Sequence, residues 1–357
     1  MADDLPPLPS HGATMFHGLR LDAYSLDLPE GGGQGGEQAG DRASRRAFDA
    51  ILDGWRRRLR AGAGGDPFGR PAEERIGKHA MDDALTRGAP EAAGVVLGAI
   101  EDYAEALAEV VKRFLKLPDW RGTQRILVGG GLRAARSGEV AIGRAAVRLR
   151  ADGVEVRLSP IRHDPDDAGL IGAARLLPAE LLGAADAVLA ADLGGTSFRA
   201  GVVLPRLGVS PDLAAAGVWR RQSWRHAEEE EVDRATALGR LAGMLADLAG
   251  EADAAGISIA PVVAVGLPGV LDAEGKVLRG AENLPGDWLA EGFRLPLALS
   301  RLLPRTAGGL TPVLLHNDAV AQGLSQAPFV RDVAHWGMLT IGTGLGNARF
   351  TNVTPRD

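Results

Sequence analysis

Ala187-Val188-Leu189-Ala190-Ala191-Asp192-Leu193-Gly194-Gly195-Thr196-Ser197-Phe198-Arg199-Ala200-Gly201-Val202-Val203 decides how the chain is read. An apolar run bounded by turn residues predicts a buried strand. It ends on the carboxylate of Asp192, crosses two glycines and a hydroxyl, and resumes as a second strand over 199–204. Strand, tight glycine turn and strand make a hairpin. Without a Cβ at Gly194 and Gly195, backbone N–H groups can approach phosphate oxygens closely. Thr196 adds a hydroxyl donor. Asp192 offers oxygen to a hard divalent cation. An ordinary hairpin with a Gly-Gly turn is the alternative from this segment alone.

Composition narrows the function classes. The chain has 357 residues, a formal net charge of −6 and no cysteine. That length predicts about two domains, each able to bury a core. Net acidity argues against a general nucleic-acid binder, which needs a basic face. Without cysteine there is no disulfide and no thiolate zinc site. No apolar run approaches the roughly 20 residues of a membrane span, and the acidic, proline-rich residues 1–10 are unlike a signal peptide. The expectation is a cytoplasmic protein.

Upstream of the central stretch, residues 19–28 alternate as a half-buried strand. The glycine-rich segment 31–40 has no strand leading into it and is read as a mobile loop. Phe48, Ile51, Leu52, Trp55 and Leu59 recur at helical spacing. Val96, Ile100, Tyr103, Leu107, Val110 and Phe114 form one apolar stripe of a helix over 94–116. A short strand, 125–128, enters Gly129-Gly130-Gly131 and then a helix to 150. This triplet suits either a flat ring or phosphate against backbone, or a plain strand-to-helix turn. Asp164 is a natural N-cap with Pro165 at N1, and small residues after it permit close helix packing.

Downstream, the acidic run 226–234 reads as a wet helix start, followed by the helix of Leu238, Leu241, Leu245 and Leu248. A strand over 262–266 enters Leu267-Pro268-Gly269, with a small hairpin turning at 273–275 behind it. Asn283-Leu284-Pro285-Gly286-Asp287-Trp288 reads as a polar loop outside the core. A strand over 313–315 runs into His316-Asn317-Asp318 and a helix over 319–325. A last strand, 336–341, meets Gly342-Thr343-Gly344-Leu345-Gly346 and resumes over 347–352.

Two glycine hairpins with a strand-end Asp between them resemble the phosphate cradle of the superfamily of sugar kinases, heat-shock chaperones and actin. More closely, the chain resembles the ROK (repressor, open reading frame, kinase) group. Asp192-Leu193-Gly194-Gly195-Thr196 is similar to its first phosphate loop, and Gly266-Leu267-Pro268-Gly269 to its Gly-x-Pro-Gly turn. Asn283 to Trp288 is similar to its sugar-side loop with one inserted residue, Asn317-Asp318-Ala319 to its catalytic triplet, and Gly342 to Gly346 to its second phosphate loop. Residues 126–131 resemble its adenosine motif and 167–174 its terminal helix. Both of these normally follow the second phosphate loop, whereas here they precede the first. The resemblance therefore implies a circular permutation. The new termini open past Gly346, and 19–28 should pair with 347–352.

The implied fold is α/β, a two-lobed, actin-like (ribonuclease H-like) ATPase with its active site in the interlobe cleft. Residues 1–178 would be the nucleotide lobe and 186–330 the sugar lobe, with 331–357 returning to the nucleotide lobe. The implied activity is ATP-dependent phosphorylation of a hexose or N-acetylhexosamine hydroxyl. Asp318 would be the general base, unless it is only the cap of its helix. Asp192 would hold Mg²⁺ through water. Gly194, Gly195, Thr196, Gly342, Thr343 and Gly344 would bind phosphates, and Gly129, Gly130 and Gly131 the adenosine. Asn283, Pro285, Gly286 and Asn317 would line the sugar site with Asp318. A homodimer is implied by resemblance alone. The group's Glu-x-Gly-His segment and zinc cysteines have no counterpart, Gly77-Lys78-His79 being a faint echo with His79 read as a surface residue. That departure leaves a second reading, a non-catalytic ROK-like regulator that binds sugar or nucleotide.

Overall fold

The computed structural model describes residues 6–28, 42–62, 65–71, 73–305 and 309–353. The glycine-rich segment 31–40 lies outside the described residues. The strands are β1 (Met15–Phe16), β2 (Leu19–Tyr24), β3 (Arg125–Gly129), β4 (Arg157–Pro160), β5 (Ala187–Leu193), β6 (Phe198–Leu204) and β7 (Gly217–Trp224). They continue as β8 (Ile259–Leu267), β9 (Val270–Leu271), β10 (Val277–Arg279), β11 (Val313–Asn317), β12 (His335–Ile341) and β13 (Leu345–Asn352). The helices are α1 (Arg45–Gly62), α2 (Lys78–Arg87), α3 (Pro90–Lys116), α4 (Arg136–Ala151) and α5 (Pro165–Ala174). The remaining four are α6 (Ala179–Ala184), α7 (Arg234–Ala254), α8 (Leu295–Ser300) and α9 (Asp318–Gln326). The protein is mixed α/β.

Two compact units divide the chain: Met1–Ser25 with Arg162–Ala334 and Gly346–Asp357, and Leu26–Ile161 with His335–Leu345. The sequence ends its nucleotide lobe at 178, but the unit boundary falls at 161. The reason is α5, which packs closely on its neighbours. A Cβ on Gly172 would sit 1.5 Å from the Ala321 carbonyl oxygen of α9, and one on Gly201 of β6 would sit 2.8 Å from Leu170. Packing this close makes α5 part of the unit that holds β5, β6 and α9. Residues 346–353 also group with that unit, leaving 335–345 in the other.

The first unit is built on a five-stranded sheet in the order β11-β8-β5-β6-β7. β5, β6 and β7 are antiparallel neighbours, whereas β8 and β11 run parallel to β5. In chain order this is 5-4-1-2-3, the ribonuclease H-like arrangement. Leu238, Leu241 and Leu245 of α7 form a buried cluster with Leu189, Ala191 and Phe198. β2 pairs antiparallel with β13, placing Leu21 opposite Phe350 and Leu19 opposite Asn352. The N-terminal strand thus lies beside Phe350, the pairing expected from the sequence. Arg349 and Asp22 form an ion pair on this ribbon.

In the second unit β12, β3 and β4 are parallel, with Thr340 opposite Gly129 and Arg125 opposite Arg157. The apolar stripe of α3 is buried against α1, α2 and α4 in one cluster. Helix α3 begins at Pro90, four residues before the start read from the stripe. Gly98 of α3 faces Trp55, whose ring carbon would be 2.9 Å from a Cβ there. Helix α2 was not expected: it buries only Met81 and Ala84, too little to print a period.

Candidate active site

In the first unit, register brings three strand ends together. Asp192 on β5 lies opposite Gly266 on β8, and Gly266 lies opposite His316 on β11. From the point where a Cβ on Gly266 would sit, Asp192 Oδ1 and the Asp318 Cα are each 3.7 Å away. The two acids named from sequence therefore flank one glycine.

Asp318 opens α9 but does not cap it. The cap is Asn317, whose side-chain oxygen accepts from Ala319 N at 2.9 Å and Val320 N at 3.2 Å. Its amide nitrogen donates to the Gly269 carbonyl at 2.9 Å and to Ser25 Oγ at 3.1 Å. All four hydrogen-bonding positions of that amide are used, and Asn317 is 1 % exposed. It anchors the start of α9 instead of presenting itself to a sugar. The Asp318 carboxylate, partly exposed, accepts from Ala319 N at 2.8 Å.

Burial, and then the charge of Asp192, push the Asp318 carboxyl up to about 7, against the pull of the Ala319 N–H. Burial, helped by Asp166, also raises Asp192, while the Arg199 guanidinium pulls it down. Arg199 reaches Asp192 at 3.5 Å and Asp166 at 2.9 Å. A buried carboxyl beside a like charge is how a group acquires proton affinity near neutral pH. Asp192 is also pinned from behind, since a Cβ on Gly169 of α5 would lie 2.6 Å from its carboxylate carbon.

The first glycine loop is tied at both ends. Gly194 N donates to the Ser197 carbonyl at 3.0 Å, and Ala227 N donates to the Thr196 carbonyl at 3.2 Å. His226 Nε2 donates to the Gly194 carbonyl at 2.9 Å. His226 is 5 % exposed and meets the rings of Phe198 and Trp224 edge-on. The run read as a wet helix start therefore begins with a buried histidine holding the loop, and α7 starts only at Arg234, capped by Asp233. Nothing local in the acidic stretch marks His226. The unread strand β7, which sets Trp224 opposite Phe198, is what delivers it.

Asn283 joins the same loop: a Cβ on Gly195 would sit 2.8 Å from Asn283 Cβ. The segment read as lying outside the core hangs from two core side chains. Leu284 is 4 % and Trp288 1 % exposed, and Trp288 Nε1 donates to the Pro285 carbonyl at 2.7 Å. Gly286 takes a φ of +79°, with Arg234 N only 2.4 Å from where its Cβ would be. Asn283 itself stays exposed. Asp192, Gly194, Gly195, Thr196, Asn283, Pro285, Gly286, Asn317 and Asp318 thus all belong to this unit.

The other glycine motifs meet in the second unit. Gly130 has a φ of +80°, and its missing Cβ would fall 2.5 Å from the Ile341 carbonyl oxygen. Leu132 N donates to that same oxygen at 3.3 Å. Gly129 to Gly131 therefore lie against the strand end that enters Gly342, Thr343 and Gly344. Gly342 N donates to the Gly344 carbonyl, and its own carbonyl accepts from Arg45 N at the head of α1, each at 3.0 Å. Lys78 Nζ comes within 3.8 Å of a Cβ position on Gly131, bringing a cation beside the triplet. It was noticed in the sequence only as a neighbour of the exposed His79.

No three histidine, aspartate or glutamate side chains converge as a metal cage among the described residues. Magnesium needs less: it retains waters and is held by one or two carboxylates plus substrate phosphates. A pinned carboxylate whose proton affinity burial has raised, next to a glycine loop, fits such an ion.

No family model matches the chain. Over 175 residues, 48 % of this chain and 47 % of the relative, it is 31 % identical to a glucokinase of Thermotoga maritima. The chain thus spans about half the length of that curated relative. Among solved structures it is similar to a ROK hexokinase from Thermus thermophilus, at 25 % identity and a TM-score of 0.28, covering 45 % of each chain. It is also similar to a ROK family transcriptional regulator, at 20 % identity and a TM-score of 0.35, covering 46 % of this chain and 37 % of the other. Both of these solved structures are ROK proteins, and the curated relative is a glucokinase.

Proposed function

We propose that this protein is an ATP-dependent sugar kinase that transfers the γ-phosphate to a hydroxyl of a hexose or N-acetylhexosamine. The observation that carries this is Asp318: freed from capping by Asn317, partly exposed, and pushed up to about 7 by burial and Asp192. A general base works best with a proton affinity near the working pH. Phosphoryl transfer otherwise asks mainly for positioning and charge stabilisation. Asp318 takes the proton of the attacking hydroxyl. Gly194, Gly195, Thr196, Gly342, Thr343 and Gly344 bind phosphate oxygens through backbone N–H and hydroxyl groups. Gly129, Gly130 and Gly131 accommodate the adenosine, and Asn283, Pro285 and Gly286 contact the sugar. Asp192 holds Mg²⁺ through water, an ion that supplies positive charge to the phosphates.

The working protein is proposed to be cytoplasmic and, by resemblance alone, a homodimer; a circular permutation of the ROK arrangement is proposed on the support of the β2–β13 pairing. In a coupled assay with MgATP and a panel of hexoses and N-acetylhexosamines, at least one sugar should stimulate ADP release. Asp318→Asn should lower that rate by about 10²- to 10⁴-fold and leave ATP binding intact. If no sugar raises ADP release above the Asp318→Asn level, the kinase is refuted and the non-catalytic ROK-like binding protein takes its place.

A further inference from the structure

A cavity of about 690 Å³ opens in the first unit away from Asp192 and Asp318. Its walls come from residues 7–17, the 175–182 segment that leads from α5 into α6, residues 207–213 and the strand β11. Its size is that of a small-molecule site, and like such sites its lining is mostly apolar. None of the glycine-loop residues or proposed sugar contacts lines it. The wall on β11 ends at His316, two residues short of Asp318.

The polar groups in this lining are not balanced in charge. Arg175 and Arg331 both line the cavity, and Asp212 is the one carboxylate among its described lining residues. Asp212 pairs with Arg331 at 3.0 Å, while Arg175 donates at 2.7 Å to the Asp212 backbone carbonyl, which carries no formal charge. Burial, and then repulsion from Arg331, pull the Arg175 guanidinium down to about 10, so it remains a cation at neutral pH. Burial pushes His316 down to about 4, leaving it neutral. Apart from His17, the described lining residues at pH 7 carry two guanidinium groups against one carboxylate, beside a largely apolar wall. Arg175 is half-buried, and the one carboxylate that attracts it, Asp212, is shared with Arg331, so an anion entering the cavity supplies the second counter-charge.

We propose that this cavity binds an amphipathic monoanion, a carboxylate on an aliphatic or aromatic body, with its head at Arg175 and Arg331 and its body against the wall that includes Leu182 and Leu314. The geometry is independent of kinase activity.

The probe is 1-anilinonaphthalene-8-sulfonate, an aromatic monoanion whose fluorescence rises in apolar surroundings, with decanoate, decanol and decyltrimethylammonium as competitors. One probe should bind per chain, and decanoate should displace it about tenfold more tightly than decanol, roughly 1.4 kcal/mol. Decyltrimethylammonium should be weaker still. Saturating MgATP and Asp318→Asn should leave probe binding unchanged. Arg331→Gln, at a side chain 62 % exposed, should remove most of the preference for decanoate over decanol. Met15→Glu, at a residue 59 % exposed on the cavity wall, should weaken decanoate in the same direction. Equal displacement by all three competitors, a decanoate preference untouched by both variants, or displacement of the probe by MgATP would each overturn the proposal.

Discussion

Replacing Asp318 by asparagine should stabilise the protein above neutral pH, the opposite of what loss of a helix cap would do. In the folded chain the Asp318 carboxyl is raised to about 7 from 3.8, first by burial and then by Asp192. Between those values the native state keeps a proton that the unfolded chain has released. Stability from this group is therefore full below about pH 4 and declines as pH rises through about 7. Three units at about 1.4 kcal/mol each set an upper bound of about 4 kcal/mol. The side chain keeps some exposure, so solvent screening brings the expected difference nearer to 2 kcal/mol. Asparagine has the shape of the protonated acid and no charge to lose. In urea unfolding, wild type and Asp318→Asn should nearly coincide at pH 3 and diverge as pH rises from about 4 to 7, and the variant should be more stable by about 2 kcal/mol at pH 8. Helix capping, the competing role, predicts a loss of about 1 kcal/mol when a cap is removed. Because Asn317 already satisfies Ala319 N and Val320 N, that loss is not expected. A variant less stable than wild type at pH 8, or a difference that does not change with pH, would refute the reasoning.

Two further outcomes follow from packing. Gly169→Ala puts a methyl group 2.6 Å from the Asp192 carboxylate carbon. The carboxylate must move, so KM for MgATP should rise about tenfold or more in steady-state kinetics while KM for the sugar changes little. Asp22→Asn removes the negative charge that pairs with Arg349 and accepts from Thr351 on the β2–β13 ribbon. Burial raises that carboxyl, but hydrogen bonds from Thr351, Arg20 and Arg349 outweigh it and hold Asp22 below the usual range. Arg349 is 6 % exposed, so denaturant unfolding at pH 7 should show a loss of about 3 kcal/mol. The loss should shrink as pH falls below the ordinary carboxylate range, where wild type forfeits the same pair.

The parts of the candidate site legible in the sequence are those whose chemistry is local. A strand ending in Asp192-Leu193-Gly194-Gly195, or running into His316-Asn317-Asp318, carries its turn and its carboxylate within a few residues, and the structure has β5 and β11 at those places. What depends on a distant partner was hidden. Asparagine and aspartate are equally good caps, so the order Asn317-Asp318 could not say which caps α9 and which is left free. His226 sits in an acidic run, and only the pairing of β7 with β6 buries it against the first loop. β7 itself has Arg220 and Arg221 exposed and lies at the sheet edge, where a weak alternation is all that packing demands. Trp288 and Leu284 were masked by the polar, turn-forming residues around them, though they are the anchors of that loop.

The proposed permutation raises an energetic question, because β2 and β13 come from opposite ends of the chain. If the intervening residues behaved as a flexible loop, about six doublings of length beyond a short hairpin would cost roughly 4 kcal/mol in closure entropy. Three side chains of this ribbon act against that cost: Leu19, Leu21 and Phe350 are 1, 3 and 0 % exposed. At about 2 kcal/mol for each buried apolar side chain, they more than offset it before Asp22 and Arg349 are counted. The intervening chain is itself folded, which lowers the closure cost further. At the other junction, only α6 and short turns separate α5 from β5, and both elements already lie together through Gly169 and Asp192. Moving the chain ends in this way leaves the acid pair and the first glycine loop where the sheet register puts them, so the chemistry proposed for Asp318 does not depend on where the polypeptide starts.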